Sequence, residues 1–350
     1  MLKVLVTSDW RLDRSFARFG RDTKRLTQAR VDALERVFAE AEAQGVAAVV
    51  VAGDTFDSPS PSEATREAIQ SALRKLEWKN RTLLLVPGDR DALVDGSVWL
   101  DDDFIGGLPD FVRVANEEVT SLHLDESAVV LALPCTSRVR GPAAFPPREE
   151  GDKRVRIGVT HVVHAAPRGD DVDLLAFGGE NAFHFVDAGK RMVFPGTHEP
   201  FDFVADMGRV ALITINPQTK QTLVEPRPVN VLTWETVKLS SLAALRQFAQ
   251  RADLHTRVVK VEVAASLSLA DIEVFERELD ELESRDDVFL EVDVSGLTLD
   301  PAKASSAFAA WPQVLQKTAS ELLTEAENPQ RKSVALRALT HLASATRSDE

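Results

Sequence analysis

The sequence predicts an α/β protein built from two packed sheets, followed by a small α/β unit and C-terminal helices. In the first half, short β-branched runs alternate with helical stretches. Residues 46–52 are a near-continuous apolar run, which is typical of a central strand buried on both faces. Several shorter apolar runs follow and predict a second sheet. We therefore expect a two-sheet α/β sandwich.

The first 90 residues contain three strands and two helices. In Thr23–Gln44 the apolar residues Leu26 and Leu34 recur at helical spacing, and Gly45 follows as a stop signal. The predicted elements are, in order, a strand at Leu2–Thr7, a helix at Thr23–Gln44, a strand at 46–52, a helix at 62–76 and a strand at Thr82–Val86.

The strands of the second sheet are predicted at 111–114, 129–133, 156–160, 191–194 and 209–215. The pattern changes around 225–228, where two prolines are hard to place in a central strand and favour a linker. We therefore predict a first domain at 1–225, a second at 226–300 and a helical tail at 301–350.

The second domain is predicted as a strand-helix-strand unit at 257–263, 269–282 and 288–294. Ser268 and Asp271 are expected to form a capping box at the start of its helix. The tail is expected to be helical, with a break near Asn328 and Pro329.

Composition restricts the functional class. The formal charge of −14 over 350 residues argues against wrapping nucleic acid by bulk electrostatics. The single cysteine excludes an internal disulfide framework and favours a reducing setting. The chain enters an apolar strand at once, and no run approaches the ~20 apolar residues of a membrane span. We expect a cytoplasmic protein with no membrane partner.

Polar clusters lie where predicted strands end. Ligands at the carboxyl ends of strands, with glycine allowing close backbone approach, are typical of open α/β sites. The clusters are SDWR at 8–11, GD at 53–54, GDRD at 88–91, TH at 160–161 and GGEN at 178–181.

The motifs VVVAGDTFDS, VPGDRD, FGGEN and MVFPGTHEPFDF, together with the strand-helix-strand unit, resemble the SbcD-type DNA repair nucleases and their YhaO-type relatives. These belong to the calcineurin-like metallophosphoesterase superfamily. The resemblance implies a metallophosphoesterase-type sandwich with a capping domain at 226–300. It also implies phosphodiester hydrolysis by two divalent metals, usually manganese.

The resemblance identifies four positions that retain a metal-ligating chemistry. Asp9 matches the first ligand, and Asp54 matches the carboxylate that bridges both metals. His161 matches a histidine ligand, and Asp89 stands where the family has an asparagine ligand. These residues imply one residual divalent metal (Mn²⁺, Mg²⁺ or Zn²⁺) or none.

Four other positions lose the family's histidines. Arg11 replaces a histidine ligand, and Arg90 replaces the catalytic histidine, so the sequence assigns no catalytic residue. Gly179 and Asn181 stand where the two histidines of the last motif are expected. Because a guanidinium has no lone pair to donate, we expect ion pairs of Arg11 and Arg90 with the aspartates to replace the metal centre.

Alternatives remain open from the residues themselves. Arg11 and Arg90 could be solvated loop residues, or they could bind a DNA phosphate. Histidines outside the matched positions could supply a metal ligand, and Glu180 could be a substitute ligand. These histidines are His164, His184 and His198.

Three functions follow from the resemblance. The first is a catalytically silent nuclease homologue, a DNA-processing scaffold that forms a homodimer and binds an SbcC-type SMC-like ATPase, with DNA ends as a possible ligand. The second is a one-metal phosphodiesterase, and the third an ordinary two-metal nuclease. The stripe of Trp311, Leu315 and Leu322 either binds the ATPase or packs on its own domain.

Overall fold

A computed structural model describes residues 1–136, 144–161, 171–300, 308–328 and 330–345. The chain divides into two compact units, Met1–Leu232 and Thr233–Glu350. Each unit is an α/β structure with its own apolar core. No helix among the described residues is both long enough and apolar enough to cross a membrane.

The first unit contains a six-stranded mixed sheet in the order β12-β11-β1-β2-β3-β4. Strands β1 to β4 run parallel to one another, and β11 pairs antiparallel with β1. The strands are β1 Leu2–Thr7, β2 Ala48–Ala52, β3 Thr82–Val86, β4 Val112–Val114, β11 Arg209–Ile215 and β12 Thr222–Pro228.

A second six-stranded sheet has the order β5-β6-β7-β8-β10-β9. Its central strands β6, β7 and β8 are parallel and fully buried. The strands are β5 Thr120–His123, β6 Ala128–Leu133, β7 Val155–His161, β8 Leu174–Gly178, β9 His184–Phe185 and β10 Met192–Phe194.

The two sheets pack face to face. Val6 and Val50 of the first sheet share one buried cluster with Val130 and Val159 of the second. This arrangement agrees with the expected two-sheet α/β sandwich, but β4 and β11, which were predicted in the second sheet, belong to the first. Strand β8, which the sequence analysis did not predict, lies beside β7 in this layer.

Helices cover the other face of the first sheet. They are α1 Thr23–Gln44, α2 Glu63–Arg74 and the short α3 Asp102–Gly106. Leu34 and Phe38 of α1 pack with Leu5 and Val49 in a second buried cluster. Helix α1 ends as predicted at Gly45, whose φ of 62° is left-handed and whose N–H bonds back to the helix.

The expected linker at 225–228 is wrong, because these residues belong to β12. Pro226 pairs with Ala211 and Pro228 with Arg209. Strand β12 is at the edge of the sheet, where a proline is tolerated if its missing N–H would face away from the partner strand. The predicted domain boundary at 225/226 therefore falls inside a strand, and the observed division follows Leu232.

The second unit contains a three-stranded parallel sheet of β13 Thr233–Leu239, β14 Arg257–Val263 and β16 Phe289–Asp293. Its other elements are α4 Leu242–Ala249, β15 Ser266–Leu267, α5 Leu269–Glu283, β17 Thr298–Leu299, α6 Gln313–Glu325 and α7 Lys332–Ala345. The expected cap is present, since Ser268 Oγ accepts a hydrogen bond from the N–H of Asp271 at 3.2 Å. Strand β13 and helix α4 were not predicted.

The C-terminal helices contribute to the core of the second unit. Ala319 of α6 and Leu339 of α7 are fully buried in it. Trp311 and Leu322 of the predicted stripe pack against the same core, whereas Val314 is 76% exposed. Much of the stripe is therefore used within this unit.

Candidate functional site

The site lies where five strands of the first unit end. Asp9 follows β1, Asp54 follows β2 and Asp89 follows β3 in the first sheet. His161 ends β7 and Gly179 follows β8 in the second sheet. Because parallel strands bring their carboxyl ends to one edge, the polar clusters of both sheets meet there.

The backbone of the site is held in unusual conformations. Asp9 and Asp54 have φ values of 53° and 55°, in the left-handed region that non-glycine residues rarely adopt. Gly53 has a φ of 88°, and a Cβ on it would lie 2.2 Å from the His161 ring. Such strain concentrates at functional sites, because only surrounding contacts maintain it.

Asp9, Asp54 and His161 form a buried cluster that could hold a metal ion. One ligand atom from each lies within 4.8 Å of the others. Nε2 of His161 is 3.6 Å from Asp9 Oδ1 and 3.4 Å from Asp54 Oδ1. Ligands around a tetrahedral Zn²⁺ lie roughly 3.4 Å apart, so these separations suit one ion.

Arg11 lies between the two carboxylates. Its Nη2 is 3.5 Å from Asp9 Oδ1 and 3.4 Å from Asp54 Oδ2, and its side chain is only 9% exposed. The alternative that Arg11 is a solvated loop residue does not agree with this burial. A cation already neutralises the carboxylates that a metal would need.

Arg90 supplies a second positive charge at the rim. Its Nε lies 3.7 Å from Asp54 Oδ2, and its side chain is 45% exposed. Asp57 links the two arginines, because its Oδ1 is 3.3 Å from Arg90 Nη1 and 3.8 Å from Arg11 Nε. Sequence reasoning missed Asp57, although it lies inside the quoted AGDTFDS motif.

Backbone donors satisfy the remaining carboxylate oxygens. The N–H of Gly179 donates to Asp9 Oδ2 at 2.9 Å, and the N–H of Arg90 donates to Asp54 Oδ1 at 3.0 Å. Gly179 therefore contributes a backbone hydrogen bond to the site.

One hydrogen bond selects the tautomer of the neutral His161 ring. The N–H of Asp89 donates to Nδ1 at 3.3 Å, so in the neutral ring Nε2 carries the proton, facing Asp9 and Asp54. A metal bound at Nε2 requires the opposite tautomer. The Asp89 carboxylate is 3.6 Å from Nδ1, on the far side of the ring. Asp89 is therefore not grouped with the other three predicted ligands.

The two aspartates have different proton affinities. Burial raises the pKa of Asp54 to about 6, where the nearby Asp9 charge adds to the effect and His161 opposes it. Burial also acts on Asp9, but the hydrogen bond and charge of His161, with the charge of Arg11, hold its pKa below the usual value. For His161, burial is outweighed by Asp9 and Asp54, which raise its pKa well above the usual value.

The other candidate ligands lie elsewhere. His198 is fully buried against Trp10, with Nε2 2.8 Å from the carbonyl oxygen of Arg30. His184 is exposed and stacks on the ring of Phe194. His164 is outside the described residues.

The FGGEN motif contributes to the site only through its backbone. Glu180 is exposed. Asn181 is half-buried, and its side-chain Oδ1 has no hydrogen-bond partner among the described residues, while its carbonyl oxygen accepts from the N–H of Thr197 at 3.0 Å. Neither side chain belongs to the buried cluster of Asp9, Asp54 and His161.

Asp91 holds the VPGDRD turn in place. Its carboxylate is fully buried and accepts hydrogen bonds from the N–H groups of Gly88 and Phe56, at 2.6 and 3.1 Å. Burial and the charge of Asp54 raise the pKa of Asp91 to about 8. Sequence reasoning gave Asp91 no role, although it is the last residue of this turn.

Arg30 of α1 stabilises the turn after β1 by buried hydrogen bonds to backbone carbonyl oxygens. It is completely buried and donates to the carbonyl oxygens of Asp9 at 3.2 Å, Glu199 at 2.7 Å and Trp10 at 3.0 Å. It also donates to the hydroxyl of Thr197 at 3.1 Å. One guanidinium therefore connects helix α1 to the backbone of the site.

Neither protein-family models nor curated proteins gave a match to this chain.

The carboxylate of Glu199 anchors the end of the first unit. Its oxygens accept hydrogen bonds from the N–H groups of Val231 at 2.6 Å and Leu232 at 2.9 Å. Burial raises the pKa of Glu199 to about 7, although these two N–H groups and the charge of Arg30 act in the opposite direction.

The shifted pKa of Glu199 predicts a pH-dependent stability. Between the usual pKa of 4.5 and about 7, the folded state binds a proton that the unfolded state releases, so the free energy of unfolding falls as pH rises through this window. From pH 5.5 to pH 8 we expect Glu199 to contribute a loss of about 2 kcal/mol. Urea unfolding at both pH values measures it.

The matched variant is Glu199→Gln, which cannot titrate. Asp91 and His161 change stability in the same direction as Glu199, so only the difference between wild type and variant isolates Glu199. We expect the variant to lose less stability between pH 5.5 and pH 8. Equal losses in the two proteins would contradict the prediction.

Proposed function

We propose that this protein is an SbcD-like nuclease homologue without nuclease activity, which acts as a DNA-processing scaffold with an SMC-like ATPase. One observation supports the loss of activity most directly: the Arg11 guanidinium lies between Asp9 and Asp54, within 3.5 Å of both. A fixed cation occupies the position that the resemblance gives to a metal.

The carboxylate oxygens do not fit a dinuclear centre. Each of the four oxygens of Asp9 and Asp54 already faces a backbone N–H, a guanidinium or the Nε2 proton of His161. A guanidinium has no lone pair to donate and carries a positive charge, so it repels a divalent ion. Two metals require these contacts to break.

Arg90 stands where the resemblance implies the histidine that protonates the leaving group. Near neutral pH an imidazole donates and recovers a proton readily, whereas the guanidinium of Arg90 does not. The structure instead uses Arg90 in contacts with Asp54 and Asp57. This supports a role in charge balance rather than in acid catalysis.

A one-metal phosphodiesterase is the second candidate, favoured by the spacing of Asp9, Asp54 and His161. A single Mn²⁺, Zn²⁺ or Mg²⁺ would polarise the phosphodiester and activate a water molecule. For these residues to bind it, His161 must release the proton on Nε2 and Arg11 must move away from both carboxylates.

Metal analysis separates the two candidates. After incubation with excess Mn²⁺ and desalting, we expect well under one metal per chain and no hydrolysis of bis(p-nitrophenyl) phosphate. Arg11→Ala removes the competing cation and is expected to raise Mn²⁺ affinity roughly ten-fold or more. Arg66→Ala, which removes an arginine that pairs with Asp101 away from the site, is the control.

Two metals per chain, with hydrolysis abolished by Asp54→Ala, would identify an active nuclease and overturn the proposal. One metal per chain with the same loss of hydrolysis would favour the one-metal phosphodiesterase.

The scaffold role rests on the resemblance and on the exposed face of α6, where Val314 is available to a partner. Mass photometry of the protein alone and with an SMC-like ATPase tests both parts of it. We expect a homodimer alone and a larger complex with the ATPase. No complex at micromolar concentrations would reject the scaffold role and leave the loss of catalysis unaffected.

A further inference from the structure

Residues 229–232 are the last residues of the first unit, and we call them the exit segment. The N–H groups of Val231 and Leu232 both donate to the carboxylate of Glu199. The N–H of Val229 donates to the carbonyl oxygen of Gly208 at 3.0 Å, and the guanidinium of Arg36 donates to the carbonyl oxygen of Asn230. Three of these four hydrogen bonds use a charged side chain. The attachment of the exit segment therefore depends on charge, unlike the backbone bonds that hold a strand in a sheet.

The Glu199 carboxylate is poorly placed to carry its charge, because the residue is only 1% exposed. A buried carboxylate loses its hydration, and two N–H donors replace only part of it. Burial accordingly raises the pKa of Glu199 to about 7, although the N–H groups of Val231 and Leu232 act in the opposite direction. The charge next to the exit segment therefore changes near neutral pH.

The charged groups that face Glu199 lie on α1. Arg30 and Arg36 both favour the ionised carboxylate, but Arg30 donates to the carbonyl oxygen of Glu199 and not to its carboxylate. The neighbouring His198 is neutral, because burial and the charge of Arg30 hold its pKa well below the usual value. Residues 229–232 contain no titratable side chain. Glu199 is therefore the group that changes its charge here near pH 7.

Opening of the exit segment lets water reach Glu199. The hydrated carboxyl then has a pKa near its usual 4.5, so between pH 4.5 and about 7 the closed state binds a proton that the open state releases. The closed state is consequently most stable below this window, and it loses stability as pH rises through it.

We propose that the exit segment is a pH-sensitive latch, which protonated Glu199 keeps closed and ionised Glu199 allows to open while the sheets stay folded. The opening is local, so it differs from the loss of global stability that Glu199 also causes. The latch is independent of the proposed function, because Glu199 lies outside the cluster of Asp9, Asp54 and His161.

Hydrogen–deuterium exchange of the whole chain, resolved to single amides at pH 5.5 and pH 8, tests the latch. Protection factors correct for the intrinsic effect of pH on exchange. For the amides of Val231 and Leu232 we expect protection to fall roughly 10- to 30-fold from pH 5.5 to pH 8. The amide of Val50, in the centre of β2, should remain roughly 100-fold better protected than both at pH 8, since it exchanges through global unfolding.

Asp125 provides an internal control with similar hydrogen bonds. Its carboxylate also accepts from two N–H groups, those of Ser127 at 2.7 Å and Ala128 at 3.1 Å. The hydrogen bond from the Ser127 hydroxyl lowers the pKa of Asp125, so its charge does not change between pH 5.5 and pH 8. Protection of the Ser127 amide, in an exposed turn, should change less than about two-fold.

Glu199→Gln removes the titration and keeps the shape of the side chain. Its protection at Val231 and Leu232 should differ less than about two-fold between the two pH values. Arg36→Gln is the second variant, since Arg36 is exposed. It removes the donor to Asn230 and a positive charge that favours ionised Glu199. Protection of the exit segment should therefore be lower at both pH values, and its fall should continue above pH 7.

Equal protection of the exit segment at the two pH values in the wild type, or an unchanged fall in Glu199→Gln, would overturn the latch. If Glu199→Gln does not fold, unchanged protection in Arg36→Gln has the same meaning. Protection of Val231 and Leu232 equal to that of Val50 would show that the segment opens only when the unit unfolds, and would also overturn it. None of these results affects the proposed loss of catalysis, which metal binding tests.

Discussion

Asp9→Asn is expected to lower the free energy of unfolding by about 3 kcal/mol in EDTA. The substitution keeps the shape of the side chain but removes the charge that faces Arg11 and His161, which hold the pKa of Asp9 below its usual value. Because Asp9 is fully buried and the Arg11 side chain is 9% exposed, water cannot replace the lost partner. Urea unfolding at pH 7.5 measures the change.

The double variant with Arg11→Met identifies the cause. If the two charges stabilise each other, the combined loss should be smaller than the sum of the single losses by about 2 kcal/mol. Glu35 and Lys75 are the matched control, since they are 3.5 Å apart but about two-thirds exposed. Their coupling energy should be roughly 0.5 kcal/mol or less.

The change in stability measured in EDTA also distinguishes ion pairs from a metal site. In a metal site, Asp9→Asn would lower stability in Mn²⁺ and would have little effect, or even a stabilising one, in EDTA, where the carboxylates repel each other. That outcome, together with additive losses in the double variant, would contradict the ion-pair interpretation.

Arg30→Met is expected to lower the free energy of unfolding by about 4 kcal/mol. The variant keeps most of the side-chain volume but leaves the buried carbonyl oxygen of Trp10 without its donor. The hydroxyl of Thr197 can then donate to only one of the carbonyl oxygens of Asp9 and Glu199, so a second acceptor is left unsatisfied. Each unsatisfied buried acceptor costs about 1–3 kcal/mol. Chemical unfolding followed by tryptophan fluorescence measures the loss.

Arg25→Met is the control for Arg30, because Arg25 lies on the same helix, is 43% exposed and pairs with Asp22. Its substitution should cost about 0.5 kcal/mol. If Arg30→Met does not fold, Arg30→Lys, which keeps the charge but not the fork, should fold with reduced stability. A loss of less than about 1 kcal/mol for Arg30→Met would show that the carbonyl contacts are not important.

Both substitutions change contacts of Asp9. Arg30 holds the carbonyl oxygen of Asp9 while Arg11 and His161 face its carboxylate. Asp9 has a left-handed φ of 53°, which the surrounding contacts must maintain. The ion pairs and the buried arginine therefore maintain the backbone conformation of the candidate site.

Local features of the sequence predicted much of the first unit. The apolar run of β2 and the helical spacing of α1 arise because both elements are buried in the core. Burial of a regular element leaves a periodic pattern of apolar residues in the sequence. The same reasoning placed Asp9, Asp54 and His161 at strand ends, where the structure brings them together. It failed at β12, since only the pairing of strands shows that Pro226 lies at an edge.

The sequence by itself determined which chemical groups are available at this site: two aspartates and a histidine at strand ends, with arginines where histidines are expected. Only the tertiary structure decided how they are used. The links from Asp57 to Arg11 and from Arg30 to Glu199 span 46 and 169 residues in the chain. Contacts over such distances depend on how sheets and helices pack, which no local pattern of residues specifies.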